Sequence, residues 1–295
     1  MRADWPNAAD SRFISAAGMR WHVQVLGSGP PILLLHGSGA ASHSWRDVAP
    51  LLAATHTVIV PDLPGHGFTD RPPDEQLSFE RIVEDIEALL LALDAEPIAI
   101  AGHSAGGALA LRLATKRTAS SALRGVVGVN AALSRPGALA SLIAPGMQLL
   151  ARTGIIGSLT AMLAESESAF RSLMRSTGSV VTPAQYALYQ TFARSPRHAS
   201  ALMTMFSMWD LAALSRSLPT LDVPVTLIVG TNDGWVPPED SRRAARVLPR
   251  ARVIEIAGTG HLTHEEAPAR VASIIAEAAA ASATRPSGEG TARAE

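Results

Sequence analysis

Residues 97–107, Pro-Ile-Ala-Ile-Ala-Gly-His-Ser-Ala-Gly-Gly, constrain this chain more tightly than any other stretch. An apolar run of strand type drives into Gly102-His103-Ser104-Ala105-Gly106, and a helical stretch, Ala108 to Leu113, follows at once. Gly-x-Ser-x-Gly set between a strand and a helix is the context of a nucleophile elbow, a sharp turn that exposes the serine hydroxyl. Gly102 and Gly106 flank the serine where any Cβ would collide with the neighbouring strand or helix. The pentapeptide alone also reads as a strand ending in a glycine turn. Its flanks make Ser104 the candidate nucleophile.

Two partners stand where such a nucleophile needs them. The apolar run Pro224 to Gly230 ends in Thr231-Asn232-Asp233-Gly234, and the run Ala251 to Ile256 ends in Ala257-Gly258-Thr259-Gly260-His261. Ser104, Asp233 and His261 thus each follow a predicted strand, in the chain order Ser, Asp, His, which is neither the chymotrypsin nor the subtilisin order. A parallel sheet gathers its strand C-terminal ends on one edge, so three such residues can converge from distant parts of the chain. Taken singly, Asn232-Asp233-Gly234 is ordinary turn chemistry and His261 is a loop histidine. Their joint placement points to nucleophilic catalysis.

A third apolar run, Pro31 to Leu35, enters His36-Gly37-Ser38-Gly39. The backbone amides of Ser38 and of Ala105, the residue after the nucleophile, are the candidate oxyanion hole. A phosphate loop is excluded, since no Gly-Lys-Ser/Thr follows and no Gly-x-Gly-x-x-Gly opens a helix.

The chain has 295 residues, 47% of them hydrophobic, enough for one substantial core plus an insertion. A net charge of −1 argues against nucleic-acid binding, which needs a basic face. No apolar window is long enough for a membrane span, and Met1-Arg2-Ala3-Asp4-Trp5-Pro6 does not read as a secretory signal. The absence of cysteine excludes disulfides and thiol chemistry and fits a cytoplasmic protein. His261 and His264 stand close in sequence, but no His-Glu-x-x-His occurs, so neither a metal nor a cofactor is expected. His264-Glu265-Glu266 reads as the start of the last helix, with its acids in the favourable first turn. His36, His66 and His103 read as loop-bracing or pocket-rim residues.

Strand-like and helix-like segments alternate from about residue 11 to residue 130, which argues for a doubly wound parallel sheet. Ser78 to Leu93 carries apolar residues at helical spacing, with Ser78 as N-cap. From Ala131 to Leu218 only helical segments appear, punctuated by Pro136, Pro145, Gly154, Gly178, Pro183 and Pro196. The expected organisation is a core of residues 1–130 and 219–282, a helical cap of residues 131–218, and a disordered tail of residues 283–295. The cap carries Met147, Met162, Met174, Met203, Met205 and Met208, six of eight methionines, suited to packing and to a bulky apolar ligand. It also carries Arg135, Arg152, Arg171, Arg175, Arg194 and Arg197, ordinarily solvated, of which one or two could receive substrate carboxylates.

The motifs at residues 36–39, 62–67, 102–106 and 260–261 resemble the α/β-hydrolase superfamily across nearly the whole chain. Asp4-Trp5-Pro6, Ser11-Arg12-Phe13, residues 20–24, residues 41–47 and Trp209-Asp210-Leu211 are similar, more closely, to the magnesium-chelatase accessory group of bacteriochlorophyll biosynthesis. The resemblance implies an α/β-hydrolase fold, a mostly parallel eight-stranded sheet flanked by helices, with an inserted helical cap. It implies a role in the pigment pathway of a photosynthetic cell, near magnesium insertion, with a small-molecule substrate such as a tetrapyrrole and magnesium chelatase subunits as partners. The residues themselves point to a serine hydrolase cleaving an ester, a thioester or a C–C bond. The alternative is a non-catalytic accessory that binds a tetrapyrrole or docks on the chelatase and retains an inherited triad.

Overall fold

The computed structural model describes residues 5–117, 122–134 and 155–281. Arg135, Met147, Arg152 and the tail expected at 283–295 lie outside the described residues. Runs rich in valine, isoleucine and leucine form strands buried on both faces, as a parallel sheet covered by helices requires. These are β3 (Pro31–Leu35), β4 (Thr57–Pro61), β5 (Ala99–His103), β6 (Gly125–Val129) and β7 (Val225–Gly230). With β1 (Ser11–Ala16), β2 (Met19–Leu26) and β8 (Ala251–Ile256) they make one eight-stranded sheet in the order β1-β2-β4-β3-β5-β6-β7-β8. Only β2 runs against its neighbours. The tight β1–β2 hairpin turns through Ala17 and Gly18, both at positive φ (51° and 71°).

Alternation along the strands divides the core between the two faces. Leu33 and Leu35 pack with α2 (Phe79–Ala92) and α3 (Ala105–Lys116), whereas Ile32 and Leu34 pack with α1 (Ala49–Ala53) and α11 (Pro268–Ala280). In α2 the buried Phe79, Ile82, Val83, Ile86, Leu89 and Leu90 follow the helical period. Each such side chain contributes about 1.5–3 kcal/mol of transfer free energy before its entropy cost. Ser78 occupies the N-cap position in extended backbone, but its side chain makes no capping bond.

Between β6 and β7 the described residues form no strand. They form α4 (Ile155–Glu165), α5 (Glu167–Ser176), α6 (Pro183–Ala193), α7 (Pro196–Ser207) and α8 (Ala212–Ser217). Pro183 and Pro196, which read as punctuation in the sequence, are helix starts. Thr182 and Gln185 form a capping box ahead of α6, and Ser195 caps α7. Ala201 and Met205 of α7 join the same hydrophobic cluster as α2 and α3, so the insertion shares the main core. No helix among the described residues is long and apolar enough to cross a membrane.

After β7 comes α9 (Pro238–Val247), and after β8 a single turn, α10 (Thr263–Glu266). The last helix therefore does not begin at His264-Glu265-Glu266. Pro268 disfavours helical backbone at Ala267 (φ −132°, ψ 55°), which separates α10 from α11. Glu265 is buried instead, paired with Arg46 at 2.7 Å and accepting the Tyr189 hydroxyl of α6.

Asp62, just beyond β4, ties together the loops that flank the sheet edge. Its carboxylate takes the amides of Ser42 (2.6 Å) and Phe68 (2.9 Å) and lies 2.8 Å from His22 Nδ1. Burial by itself would raise its pKa; the hydrogen bond and charge of His22, with the Phe68 amide, pull it down to about 2. A carboxyl depressed from 3.8 in the unfolded chain stabilises the fold above pH 3.8, and that contribution is lost as pH falls through about 2. It amounts to about 2 kcal/mol. Urea unfolding at pH 4 and at pH 2 should show wild type losing about 2 kcal/mol more than Asp62→Asn over that interval. An equal loss in both proteins would remove Asp62 as the cause.

Candidate active site

The chain passes from β5 into α3 through one residue. Ser104 holds φ 52° and ψ −116°, a conformation that costs a non-glycine residue about 1–3 kcal/mol. Its amide donates to the Val129 carbonyl (2.9 Å), and its carbonyl accepts from Gly107 and Ala132 (both 3.0 Å), so β6, the segment after it and α3 brace the turn. A Cβ on Gly106 would run into the carbonyl oxygens of Leu35 and His36, so only glycine lets α3 start this close to β3.

Asp233 and His261 follow β7 and β8. Asp233 Oδ1 accepts the amides of Trp235 (2.8 Å) and Val236 (2.9 Å), while Oδ2 meets His261 Nδ1 at 2.8 Å. Both side chains are buried. A carboxylate against Nδ1 places the imidazole proton there and leaves Nε2 as the basic nitrogen. The structure brings Asp233 and His261 into direct contact. Ser104 stands at the same edge, where the ring of His103, the residue before it, lies 4.7 Å from that of His261. Among the described residues no hydrogen bond joins the Ser104 hydroxyl to His261.

The carbonyl of His261 is held from the core by two side chains, His103 Nε2 at 2.8 Å and Asn130 Nδ2 at 2.7 Å. Asn130 does more. At the end of β6, with φ 45°, its Oδ1 accepts the Gly230 amide (2.8 Å), and its Nδ2 also reaches the Gly260 carbonyl (2.9 Å) and Thr263 Oγ1 (3.0 Å). One buried amide therefore links the loop bearing Asp233 to the loop bearing His261. Its role was invisible in the sequence, where Asn130 marked only the end of a strand.

Ser38 follows β3. His36 shapes this loop: its Nε2 accepts the Leu63 amide (2.9 Å) and its Nδ1 donates to the Gly37 carbonyl (2.8 Å). Burial lowers the His36 pKa and keeps the ring neutral in that role. Gly37 lies against Ser104, where a Cβ would come within 3.1 Å of the serine Cβ. Ala105 opens α3, and its amide is one of the orphan donors of a helix start. His66 is fully buried, with Nδ1 3.0 Å from the Pro64 carbonyl, as a loop brace should be.

A cavity of about 460 Å³ opens beside these groups. Ser38, His103 and His261 are part of its lining, and Leu163, Phe170, Leu173, Leu202, Phe206 and Trp235 supply apolar walls. Of the five cap methionines among the described residues, Met174 alone lines this cavity, Met205 is buried in the core, and Met162 is 62% exposed. Among the described residues no cap arginine lines it either: Arg171 pairs with Glu167 at 2.7 Å, Arg197 with Asp70 at 3.3 Å, and Arg194 Nε faces the Ala164 carbonyl. Trp235, two residues past Asp233 and with its ring 5.3 Å from His261, is a wall residue that turn-like sequence did not reveal.

Comparison with known proteins bears on the family and the fold. The family model described as alpha/beta hydrolase family matches residues 32–274. A magnesium-chelatase 30 kDa subunit of Rhodobacter capsulatus is 37% identical over 276 residues, covering 92% of this chain and 95% of the relative. A 2-hydroxymuconate semialdehyde hydrolase of a Pseudomonas species is 29% identical, covering 90% of this chain and 92% of the relative. Among solved structures, a meta-cleavage product hydrolase from Pseudomonas fluorescens aligns with TM-score 0.74 at 27% identity, covering 90% of this chain and 96% of that one. An esterase from Thermogutta terrifontis aligns with TM-score 0.70 at 25% identity, covering 90% and 97%.

Removing the Asn130 amide should unfasten both loops at once. Asn130→Ala is expected to lose about 3 kcal/mol in urea unfolding, since buried donors and acceptors are left unpaired. Asn130→Asp should fare no better, because its second oxygen would oppose the carbonyls of Gly260 and His261. Wild-type stability in either variant would refute the role assigned to this residue.

Proposed function

The chain belongs to the alpha/beta hydrolase family, and from that premise we propose that it is a serine hydrolase acting through Ser104, His261 and Asp233. His261 Nε2 takes the Ser104 hydroxyl proton as the oxygen attacks a carbonyl carbon. The Ser38 and Ala105 amides receive the resulting oxyanion. His261 then returns the proton to the leaving group, and water releases the acyl group by the same steps. Asp233 holds the ring in the required tautomer and stabilises the imidazolium. Chain order does not matter to this chemistry; geometry and roles do.

The observation that carries the reading is the Asp233 carboxylate. Its two oxygens are divided between backbone amides and His261 Nδ1, at 2.8–2.9 Å. A carboxylate so oriented behind a histidine beside an apolar cavity is what general-base activation of a serine needs. The cavity walls favour a bulky apolar substrate, with an ester, a thioester or a C–C bond to a carbonyl as the bond cleaved. The 37% identical magnesium-chelatase subunit supports a place for this hydrolase beside magnesium insertion, and the sequence resemblance extends that to bacteriochlorophyll biosynthesis with a tetrapyrrole as substrate. The name of that relative also favours a second reading, an accessory that binds a tetrapyrrole or a chelatase subunit without chemistry.

Two measurements separate the readings. A fluorophosphonate probe should label wild type at Ser104 and leave Ser104→Ala unlabelled, with His261→Ala slowed at least about 100-fold; an unlabelled wild type would overturn the hydrolase. Bacteriochlorophyll content in a deletion strain carrying Ser104→Ala, at equal soluble expression, should stay low while a precursor accumulates. Full pigment in that strain would favour the accessory.

A further inference from the structure

The loop that carries His261 is gripped from two sides, and only one of them is the core. Three consecutive amides of this loop donate outside it or to its own anchor. Gly260 donates to Glu266 Oε1 (2.8 Å), His261 to the Thr177 carbonyl (2.9 Å), and Leu262 to Ser179 Oγ (2.8 Å). Thr177 and Ser179 belong to the turn between α5 and α6, inside the helical insertion. The same Thr177 carbonyl accepts the amide of Gly234, the residue after Asp233 (3.2 Å). The other oxygen of Glu266 accepts the Val180 amide (3.0 Å), so one carboxylate spans the His261 loop and the turn.

The turn is built to sit there. Thr177 Oγ1 donates to the Met174 carbonyl (2.6 Å) and accepts the Ser179 amide (3.1 Å), which folds the turn on itself. Gly178 holds φ 75°, and a Cβ on it would collide with the Asn232 carbonyl oxygen; a Cβ on Gly260 would collide with Gly178. The turn is thus wedged between the Asp233 loop and the His261 loop with no room for a side chain on either side. The turn reaches the cavity through Thr177, beside Met174 of α5.

We propose that the turn Thr177–Val180 of the insertion is a positioning element for the Asp233–His261 pair, with Ser179 and Glu266 as its positioning side chains. This rests on the serine-hydrolase reading. Asn130 and His103 anchor the His261 carbonyl from the core, and the turn anchors the amides of His261 itself and of Leu262 from the insertion. Removing one anchor lets the imidazole swing by a fraction of an ångström. Misplacement on the scale of 1 Å costs catalysis about 100-fold. The insertion therefore roofs the cavity and also sets the competence of the general base, and a substrate that presses on Met174 or Thr177 presses on the same support.

The test compares Ser179→Ala, Ser179→Thr, Glu266→Gln and Arg171→Ala on the full chain. Arg171 lies on the exposed face of α5 and serves as control. With a p-nitrophenyl ester, Ser179→Ala should lower kcat about 10- to 100-fold with KM within about threefold. Ser179→Thr, which keeps the hydroxyl, should recover most of the rate. Glu266→Gln, which retains one accepting oxygen, should fall between them, and Arg171→Ala should match wild type. The second readout is the downfield proton resonance of the Asp233–His261 bond, expected to shift or broaden in Ser179→Ala and Glu266→Gln and to return in Ser179→Thr. Wild-type kcat together with an unmoved resonance in Ser179→Ala would overturn the proposal. If Ser179→Ala fails to fold, Glu266→Gln decides by the same two criteria. A wild type that hydrolyses no ester and takes no fluorophosphonate label would sink the hydrolase reading alone, and the resonance would then decide the positioning role.

Discussion

Everything at the functional edge depends on the contact between the start of α3 and the ends of β3 and β5. A helix can begin this close to a strand only where the chain reverses within one residue and no side chain intervenes. Ser104 meets the first condition with a left-handed φ of 52°, and Gly106 the second, against the carbonyls of Leu35 and His36. The strain is held in place by bonds from β6 and α3 to the Ser104 backbone. Loosen that contact, and the Ala105 amide, the serine and the Gly37–Ser38 loop lose their common frame.

A parallel sheet delivers loops to one edge but does not fix their mutual positions. Here buried polar groups do so. Asp62 gathers the loops after β3 and β4 around His22, Ser42 and Phe68, and Asn130 gathers the loops after β7 and β8. Each is buried, so each polar atom left without a partner would cost more than an ordinary hydrogen bond contributes. That asymmetry makes such groups effective fasteners. Around them the ordinary α/β core supplies bulk stability from both faces of the sheet.

The insertion between β6 and β7 is joined to this frame by two kinds of contact. Ala201 and Met205 of α7 extend the main hydrophobic cluster, while the α5–α6 turn bonds to the loops of Asp233 and His261. The first fixes where the helices lie; the second gives that placement a chemical consequence. The buried Glu265 adds a third link through Arg46 and Tyr189. Its pKa rises to about 7, with burial the main cause, opposed by the Arg46 charge and the bonds from Tyr189 and Arg46.

Four strands of the sheet were legible in the sequence alone, because the apolar runs at 31–35, 97–101, 224–230 and 251–256 each end in a glycine-bearing loop, and local patterning of that kind is written in neighbouring residues. The sequence also placed Ser104, Asp233, His261, Ser38 and Ala105 at strand ends, since those positions follow from strand boundaries. It left open which residues line the cavity, because residue type does not say which helix face turns inward. Met205 and Met174 look alike in a sequence; packing buried one in the core and set the other on the cavity wall. It missed the break at Ala267, where Pro268 outweighed the acidic residues that suggested a helix start. Only the tertiary structure decided what Asn130, Ser179 and Glu266 do. Their partners lie up to 133 residues away, and a hydrogen bond between distant segments leaves no periodic trace in either one.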